Sequence, residues 1–251
     1  MVRAIGFIGY KGSGKTTAII KVARILKERG YKIAIIKHMP EHDIDKHMSD
    51  TYRLRQVSPN VIAITQSSIV IFRKRSDNPV EVLMSVAPKV DFVLVEGLKE
   101  CKLYPRIICA REIGEVGKLM NGLEIAAVGP ISEDYEKKEF VEKRYGLRVF
   151  NVFNEANTLA DIIERKAFML PGMNCGMCGY DCYTMAKLIV KGERTVNDCK
   201  ALGRDLVNVI INGKPMILNA FVQKLIRNTV IGMLSTLKGF EKGEIVIRIR
   251  R

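Results

Sequence analysis

The chain has no uninterrupted apolar run approaching the roughly 18–20 residues that a membrane-spanning helix needs, so no such helix is expected. It also lacks the charged-then-apolar leader of a secreted precursor. Ala4-Ile5-Gly6-Phe7-Ile8 reads as a strand almost at once, and a cytoplasmic location is the expectation. Acidic residues are short: 27 Asp and Glu against 41 Lys and Arg leave a net charge of +14. That excess suits polyanionic partners such as nucleotide phosphates, a phosphorylated cofactor, nucleic acid or an acidic protein. It is spread along the chain and forms no block, which equally suits a solvated basic surface. A secreted disulfide framework is missing too. Cys101 and Cys109 stand apart as ordinary buried or edge thiols. The other four cysteines lie between 175 and 199, which in a cytosolic protein favours a metal over disulfides.

What is present starts with Gly9-Tyr10-Lys11-Gly12-Ser13-Gly14-Lys15-Thr16, which reads G-x-x-x-x-G-K-[ST], followed by Thr17. An apolar strand precedes it. A helix follows, with Ile19, Val22, Ala23 and Leu26 on one face and Gly30 as its stop. A chance glycine turn would not have both flanks. Gly12 and Gly14 permit positive φ and close backbone approach. The loop amides and helix N-terminus, Gly9 to Thr17, then suit a nucleotide's phosphates. Lys15 can reach the β and γ oxygens, and the Thr16 hydroxyl can ligate Mg²⁺.

Further alternation of strands and helices predicts an α/β fold, a doubly wound and mostly parallel P-loop NTPase sheet. Strands are expected at 32–36, 61–65, 68–72, 90–96, 106–110, 124–128 and 148–152. Helices are expected at 50–57, 78–87 (Asn78 as cap), 132–144 and 157–169 (Asn157 as cap). The strand Val90–Val95 ends in Glu96-Gly97, a Walker B-like pattern. At the strand's carboxyl end Glu96 would face the loop, where it can hold Mg²⁺ or position water. Lys37-His38-Met39-Pro40-Glu41-His42-Asp43-Ile44-Asp45 follows another strand end, where α/β sheets bind ligands. His38, His42, Asp43 and Asp45 are metal or phosphate ligands by type. Pro40 opposes a helical His pair for zinc, leaving a substrate or Mg²⁺-linked loop, or a solvated one. Lys99, Lys102, Arg106 and Arg111 are expected as cations near the site.

After Leu170-Pro171-Gly172, Cys175, Cys178, Cys182 and Cys199 are spaced C-x₂-C-x₃-C-x₁₆-C. Three thiolates on one tight loop and a distant fourth match a cubane, each iron of which takes one cysteine. Zinc remains the rival, although its usual second C-x₂-C pair is missing. Cys182 should open a helix whose N-terminus favours an anionic cluster. The tail reads as hairpin (turn at Asn212-Gly213), helix 220–237 and terminal strand 245–249. The expected division is 1–169 for nucleotide binding, 170–205 for the cysteines and 206–251 for a small α+β unit.

The set GYKGSGKTT, IIKHMPEHDIDKHMSDTYRLR, DFVLVEGLK and PRIICAR resembles the MobB family, molybdopterin-guanine dinucleotide biosynthesis protein B, over roughly residues 1–169. That resemblance implies a protein that binds GTP, turns it over weakly and assists the guanylyltransferase that attaches GMP to molybdenum or tungsten pterin. By position, Lys15 and Thr16 match the family's Walker residues. Lys37, His38, His42 and Asp45 match its KH…D-x-D-K loop, Asp50-Thr51 its Asp-Ser, and Glu96, Gly97 and Lys99 its V-E-G-F-K. The sequence departs at His47-Met48 and Ser58-Pro59, and no N-K-x-D guanine signature is present, so guanine preference comes from the resemblance. Residues 171–199 are similar to the four-cysteine 4Fe–4S domain of corrinoid iron–sulfur proteins and Rnf-type subunits. Short MobB proteins lack that domain.

These readings converge on a Mg²⁺-dependent GTP-binding protein with a 4Fe–4S cluster, serving a molybdenum or tungsten pterin dinucleotide. Its partners would be a molybdopterin guanylyltransferase or an apo-enzyme, with a homodimer among the allowed arrangements. An alternative is a nucleotide-gated, non-catalytic adaptor or metallochaperone whose cluster senses redox state or is passed on. Nucleic acid is not expected as a partner, and binding with a steep salt dependence would be needed to support it.

Overall fold

The computed structural model describes residues 2–39, 44–58, 60–73 and 90–202, and then 207, 209–211, 214–216, 218, 220–241, 243, 245–247 and 249. His42, Asp43, the expected helix at 78–87 and the turn Asn212-Gly213 lie outside the described residues. Six parallel strands make the main sheet: β1 (Arg3–Gly9), β2 (Ile33–Lys37), β5 (Phe92–Glu96), β6 (Arg106–Cys109), β7 (Glu124–Val128) and β8 (Val149–Phe150). Their spatial order is β2-β5-β1-β6-β7-β8. The chain therefore moves outward from β1 in both directions, and the carboxyl ends of β1, β5, β6 and β7 meet at one edge.

The central strands are covered on both faces and are almost continuously apolar, whereas the edge strand β2 is partly exposed at Ile35. On one face α1 (Lys15–Glu28) contributes Ala18, Ile19, Val22 and Leu26, and α5 (Ala156–Lys166) contributes Leu159, Ala160 and Ile163. They pack on Ile5, Phe7, Leu94 and Ile107. On the other face Val116 and Leu119 of α3 (Ile113–Leu119) and Val141 of α4 (Tyr135–Tyr145) cover Ile8, Ile108 and Ala127. The alternation of Ile5 and Phe7 with Ala4 and Ile8 assigns each face in turn.

Several boundaries differ from expectation. Ser132 does not start α4; it sits in a 3₁₀ turn, Pro130–Glu133, and its hydroxyl donates to the Gly129 carbonyl. Asp134 is the cap, accepting from the Lys137 amide. Asn157 does not cap α5 either, because Glu155 holds that position. α5 stops at Lys166, and Phe168 and Leu170 leave it to bury their side chains elsewhere. β8 ends at Phe150 because Asn151 turns the chain: its side chain accepts from the Phe153 amide and its carbonyl from Glu155. Residues 245–247 and 249 are not in a strand, and Ile249 is 86% exposed; alternating apolar residues make no strand without an edge to pair with.

The remaining elements fall into three further groups. α2 (Asp50–Val57) leads into the antiparallel hairpin β3 (Asn60–Ile64) and β4 (Ile69–Arg73). The hairpin's inner face carries Val61 and Phe72, with Arg55 stacked over the latter. Its outer face pairs Ile62 with Ile71 and Ile64 with Ile69, all more than half exposed. The cysteine stretch contains α6 (Cys182–Lys191). The tail has β9 (Val209–Ile211), β10 (Lys214–Met216) and α7 (Ala220–Leu234).

Candidate functional site

The nucleotide loop leaves β1 at Gly9, where the backbone is so close to its neighbours that no side chain fits. A Cβ there would stand 2.2 Å from the Cys109 carbonyl oxygen and 2.3 Å from Ser13 Oγ. Gly12 and Gly14 have φ of 77° and 83°, as the motif predicts, and Gly14 is the residue before α1. α1 has no side-chain cap and no acid in its first turn, so its N-terminal amides are left for an anion. Ser13 is fully buried, and its hydroxyl has no partner among the described residues. Lys11 and Thr17 are exposed on the rim.

Three side chains predicted from sequence meet here. Thr16 Oγ1 lies 3.1 Å from both carboxylate oxygens of Glu96, which is itself only 8% exposed. Lys37 Nζ stands 3.4 Å from Glu96 Oε1. Adjacent parallel strands explain this, since Lys37 and Glu96 are register partners at the carboxyl ends of β2 and β5. Lys15 Nζ donates to the Tyr10 carbonyl at 2.6 Å, and Lys99 Nζ sits 4.2 Å from the Tyr10 ring centre. His38 is tied in through its amide, which donates to the Glu96 carbonyl, and a Cβ on Gly97 would lie 3.2 Å from the His38 Cβ. A hydroxyl touching a buried carboxylate is a hard oxygen set, and it fits a hard divalent cation beside phosphates.

Other predicted residues are placed elsewhere. Asp45 accepts from Ser49 and Thr51 hydroxyls at 2.8 and 2.7 Å and pairs with Arg55 at 3.5 Å. Burial pushes its carboxyl up, but the Thr51, Ser49 and Arg55 bonds outweigh this and hold it below the usual range. Asp45 thus braces the entry to α2, whose cap is Ser49, and Asp50 is exposed in that helix's first turn. Arg106 is a correction. It starts β6 level with Gly6, the middle of β1, three residues below the end of β1 where the loop begins; it is 3% exposed and donates to the carbonyls of Lys99 and Cys101. Lys102 is also away from the loop, over the Tyr183 ring. Arg111 is held by Glu115 at 3.0 Å.

Gly129 escaped the sequence reading. It follows β7, and a Cβ there would lie 2.6 Å from the Ser13 carbonyl oxygen and 2.7 Å from that of Ala110. Only a glycine allows the end of β7 to press against the loop, and a glycine directly after a buried strand was the available signal. Cys109 lies beneath the loop, and burial pushes its thiol well above the ordinary range.

The four-cysteine module sits at the other edge. Leu123, Phe168 and Leu170 pack with Cys182, Met185, Ala186 and Cys199, and the Leu170 amide donates to the Leu103 carbonyl. Tyr183 Oη donates to the Asn121 carbonyl at 2.5 Å. Within the module Gly176 and Gly179 have positive φ, and the Gly179 amide closes a turn onto the Gly176 carbonyl. Asp181 caps α6 through the Thr184 amide, which puts Cys182 at the first helical position. A 3₁₀ turn, Val196–Asp198, with a Thr195–Asp198 capping box brings back Cys199. None of the four sulfurs is in a disulfide; Cys182 and Cys199 are buried, Cys175 and Cys178 half-buried. Burial pushes the Cys199 thiol up, and the nearby sulfurs of Cys178 and Cys182 add to this. Among the described residues no three His, Cys, Asp or Glu side chains converge on the position of one ion. A cubane takes one thiolate per iron, and Cys175, Cys178 and Cys182 on the loop and helix start, with Cys199 brought back near Cys178 and Cys182, are the residues that would supply them.

Comparison with known proteins agrees with both ends of the molecule. The family model for molybdopterin guanine dinucleotide synthesis protein B, MobB, matches residues 4–129. A model named for an Fe-S cluster matches residues 170–201. A Methanocaldococcus jannaschii protein named as a molybdopterin-guanine dinucleotide biosynthesis adapter is 34% identical over 98% of this chain and 96% of its own. A Bacillus subtilis protein of similar name is 26% identical over 57% of this chain and 82% of its own. The crystal structure of Bacillus subtilis MobB superposes with a TM-score of 0.52 at 19% identity, covering 66% of this chain and 98% of that one, which bears on the fold alone. With its nucleotide loop, its sheet and a full-length relative all in agreement, the chain belongs to the MobB family.

Proposed function

We propose that this protein is a Mg²⁺-dependent GTP-binding adapter in the making or delivery of a molybdenum or tungsten pterin guanine dinucleotide, and that it carries a 4Fe–4S cluster. The contact of Thr16 with both oxygens of Glu96, beside Lys15 and the uncapped start of α1, carries the nucleotide half. Thr16 and Glu96 would hold Mg²⁺, which neutralises charge between the β and γ phosphates. Lys15 and the loop amides would hold the phosphate oxygens. Cys175, Cys178, Cys182 and Cys199 would hold the cluster, which supplies one-electron chemistry. The expected setting is the cytoplasm. The partner would be a guanylyltransferase or a metal-dependent apo-enzyme, and the exposed isoleucine face of the hairpin supports a homodimer.

A specific observation favours the adapter over an efficient GTPase. Both Glu96 oxygens are engaged by Thr16 and one also by Lys37, so this carboxylate is better placed to anchor a cation than to take a proton from water. Calorimetric titration with GTP and ATP, with and without Mg²⁺, tests the reading. GTP should bind, and Mg²⁺ should tighten it in the wild type but not in Thr16→Ala. Preference for ATP, or Mg²⁺-independent binding, would overturn it.

A further inference from the structure

The cysteine loop is closed by a residue that is not a cysteine. Asn174, directly before Cys175, has a φ of 45°, the left-handed region that a non-glycine residue enters at a cost. It is held there by a reciprocal pair. The Cys182 amide donates to Asn174 Oδ1 at 2.9 Å, and the Asn174 amide donates to Cys182 Sγ at 3.4 Å. These two bonds span the whole C-x₂-C-x₃-C segment and fix its first and third sulfurs relative to each other, around the turn from Gly176 to Gly179. Asn174 is exposed and does not pack in the apolar cluster beneath the module, so its side chain is not there for burial. Glycine would take this φ with less strain, so the amide acceptor is the feature that asparagine adds.

We propose that Asn174 is a positioning residue for the cluster: it fixes Cys182 as a ligand and, through its N–H···S bond to that sulfur, raises the reduction potential. The inference rests on the reading that the four cysteines hold an iron–sulfur cluster. An N–H directed at a ligand sulfur draws charge from it and favours the reduced cluster, which carries one more negative charge. The side chain's own bond to the Cys182 amide keeps that N–H aimed.

Anaerobically reconstituted full-length protein tests this with three readouts: iron per chain, the midpoint of a dye-mediated redox titration followed by electron paramagnetic resonance, and the rate of iron loss to a chelator. Asn174→Gly keeps the amide and the permitted φ but removes the acceptor. Its midpoint should fall below wild type and its iron should leave about tenfold faster, the low end for lost outer-shell support. Asn174→Asp keeps an acceptor for the Cys182 amide and adds a negative charge. It should hold iron like wild type, which assigns the faster iron loss of Asn174→Gly to the missing acceptor, while its own midpoint falls from the added charge alone. Wild-type midpoint and chelator kinetics in Asn174→Gly would overturn the role of Asn174. A folded, GTP-binding wild type that takes up no iron would overturn the cluster reading itself, and this inference with it.

Discussion

At the carboxyl edge of the sheet the nucleotide loop is shaped largely by backbone and its surroundings are filled. Gly9 touches the Cys109 carbonyl, Gly129 presses on Ser13, and α1 runs directly into the apolar core. At the amino edge the four-cysteine module is made of short turns, and one apolar patch around Leu123, Phe168 and Leu170 joins it to the sheet. β7, at whose start the module packs, is five residues long, which puts about 13 Å between that seam and the carboxyl edge at roughly 3.3 Å per residue. The difference lies in what orders each site. The first is prepared by the fold before any ligand arrives, whereas the second has few buried groups of its own and depends on what its sulfurs hold.

The sharpest way to test that contrast is Lys15→Ala. Losing the ammonium's charge-assisted bonds to phosphate, about 3 kcal/mol for two, should weaken GTP by 100-fold or more. Because the loop is set by its glycines and not by Lys15, the sheet should keep its melting temperature and the module its iron. Isothermal titration and iron analysis on the same sample check both. Retained GTP affinity would mean that the loop does not hold the phosphates.

The reverse experiment is Cys199→Ser. One ligand fewer should drop iron from about four per chain to below one. The turn Thr195–Asp198 and α6 should then exchange amide hydrogens faster, while GTP affinity stays within about twofold. A parallel loss of GTP binding would show that the two edges are coupled through the sheet and would remove the contrast.

The sequence made one kind of information legible and hid another. The loop, Glu96 and the four cysteines were readable because their chemistry depends on residue type at short spacing or at a strand's end. Arg106 was misplaced because an expected strand beginning with a cation does not say how far below the loop it begins. Parallel pairing of Gly6 with Arg106 and Gly9 with Cys109 decides that, and it leaves Arg106 buried three residues below the end of β1. Asp45 was read as a ligand by type alone; that Ser49, Thr51 and Arg55 gather on its carboxylate when α2 forms is not visible in the spacing. Gly129 and Asn174 act through close approach and through a turn eight residues long, and neither leaves a periodic trace.

The smallest expected effect concerns the seam between the regions. Tyr183 lies between Lys102 and Lys187, whose ammonium groups stand 4.8 and 4.5 Å from its ring centre, and its hydroxyl reaches the Asn121 carbonyl. Tyr183→Phe keeps the ring and both cation–π contacts and removes one hydrogen bond, worth about 1 kcal/mol. If the module opens from the sheet as a unit, the amides of Cys182–Lys191 should exchange about fivefold faster, the factor that 1 kcal/mol represents in an opening equilibrium. Amides of β1 and α1 should not change, since they belong to the core that the nucleotide loop stands on. Faster exchange spread evenly over both would mean that the module and sheet open together, and that the seam is as firm as the core.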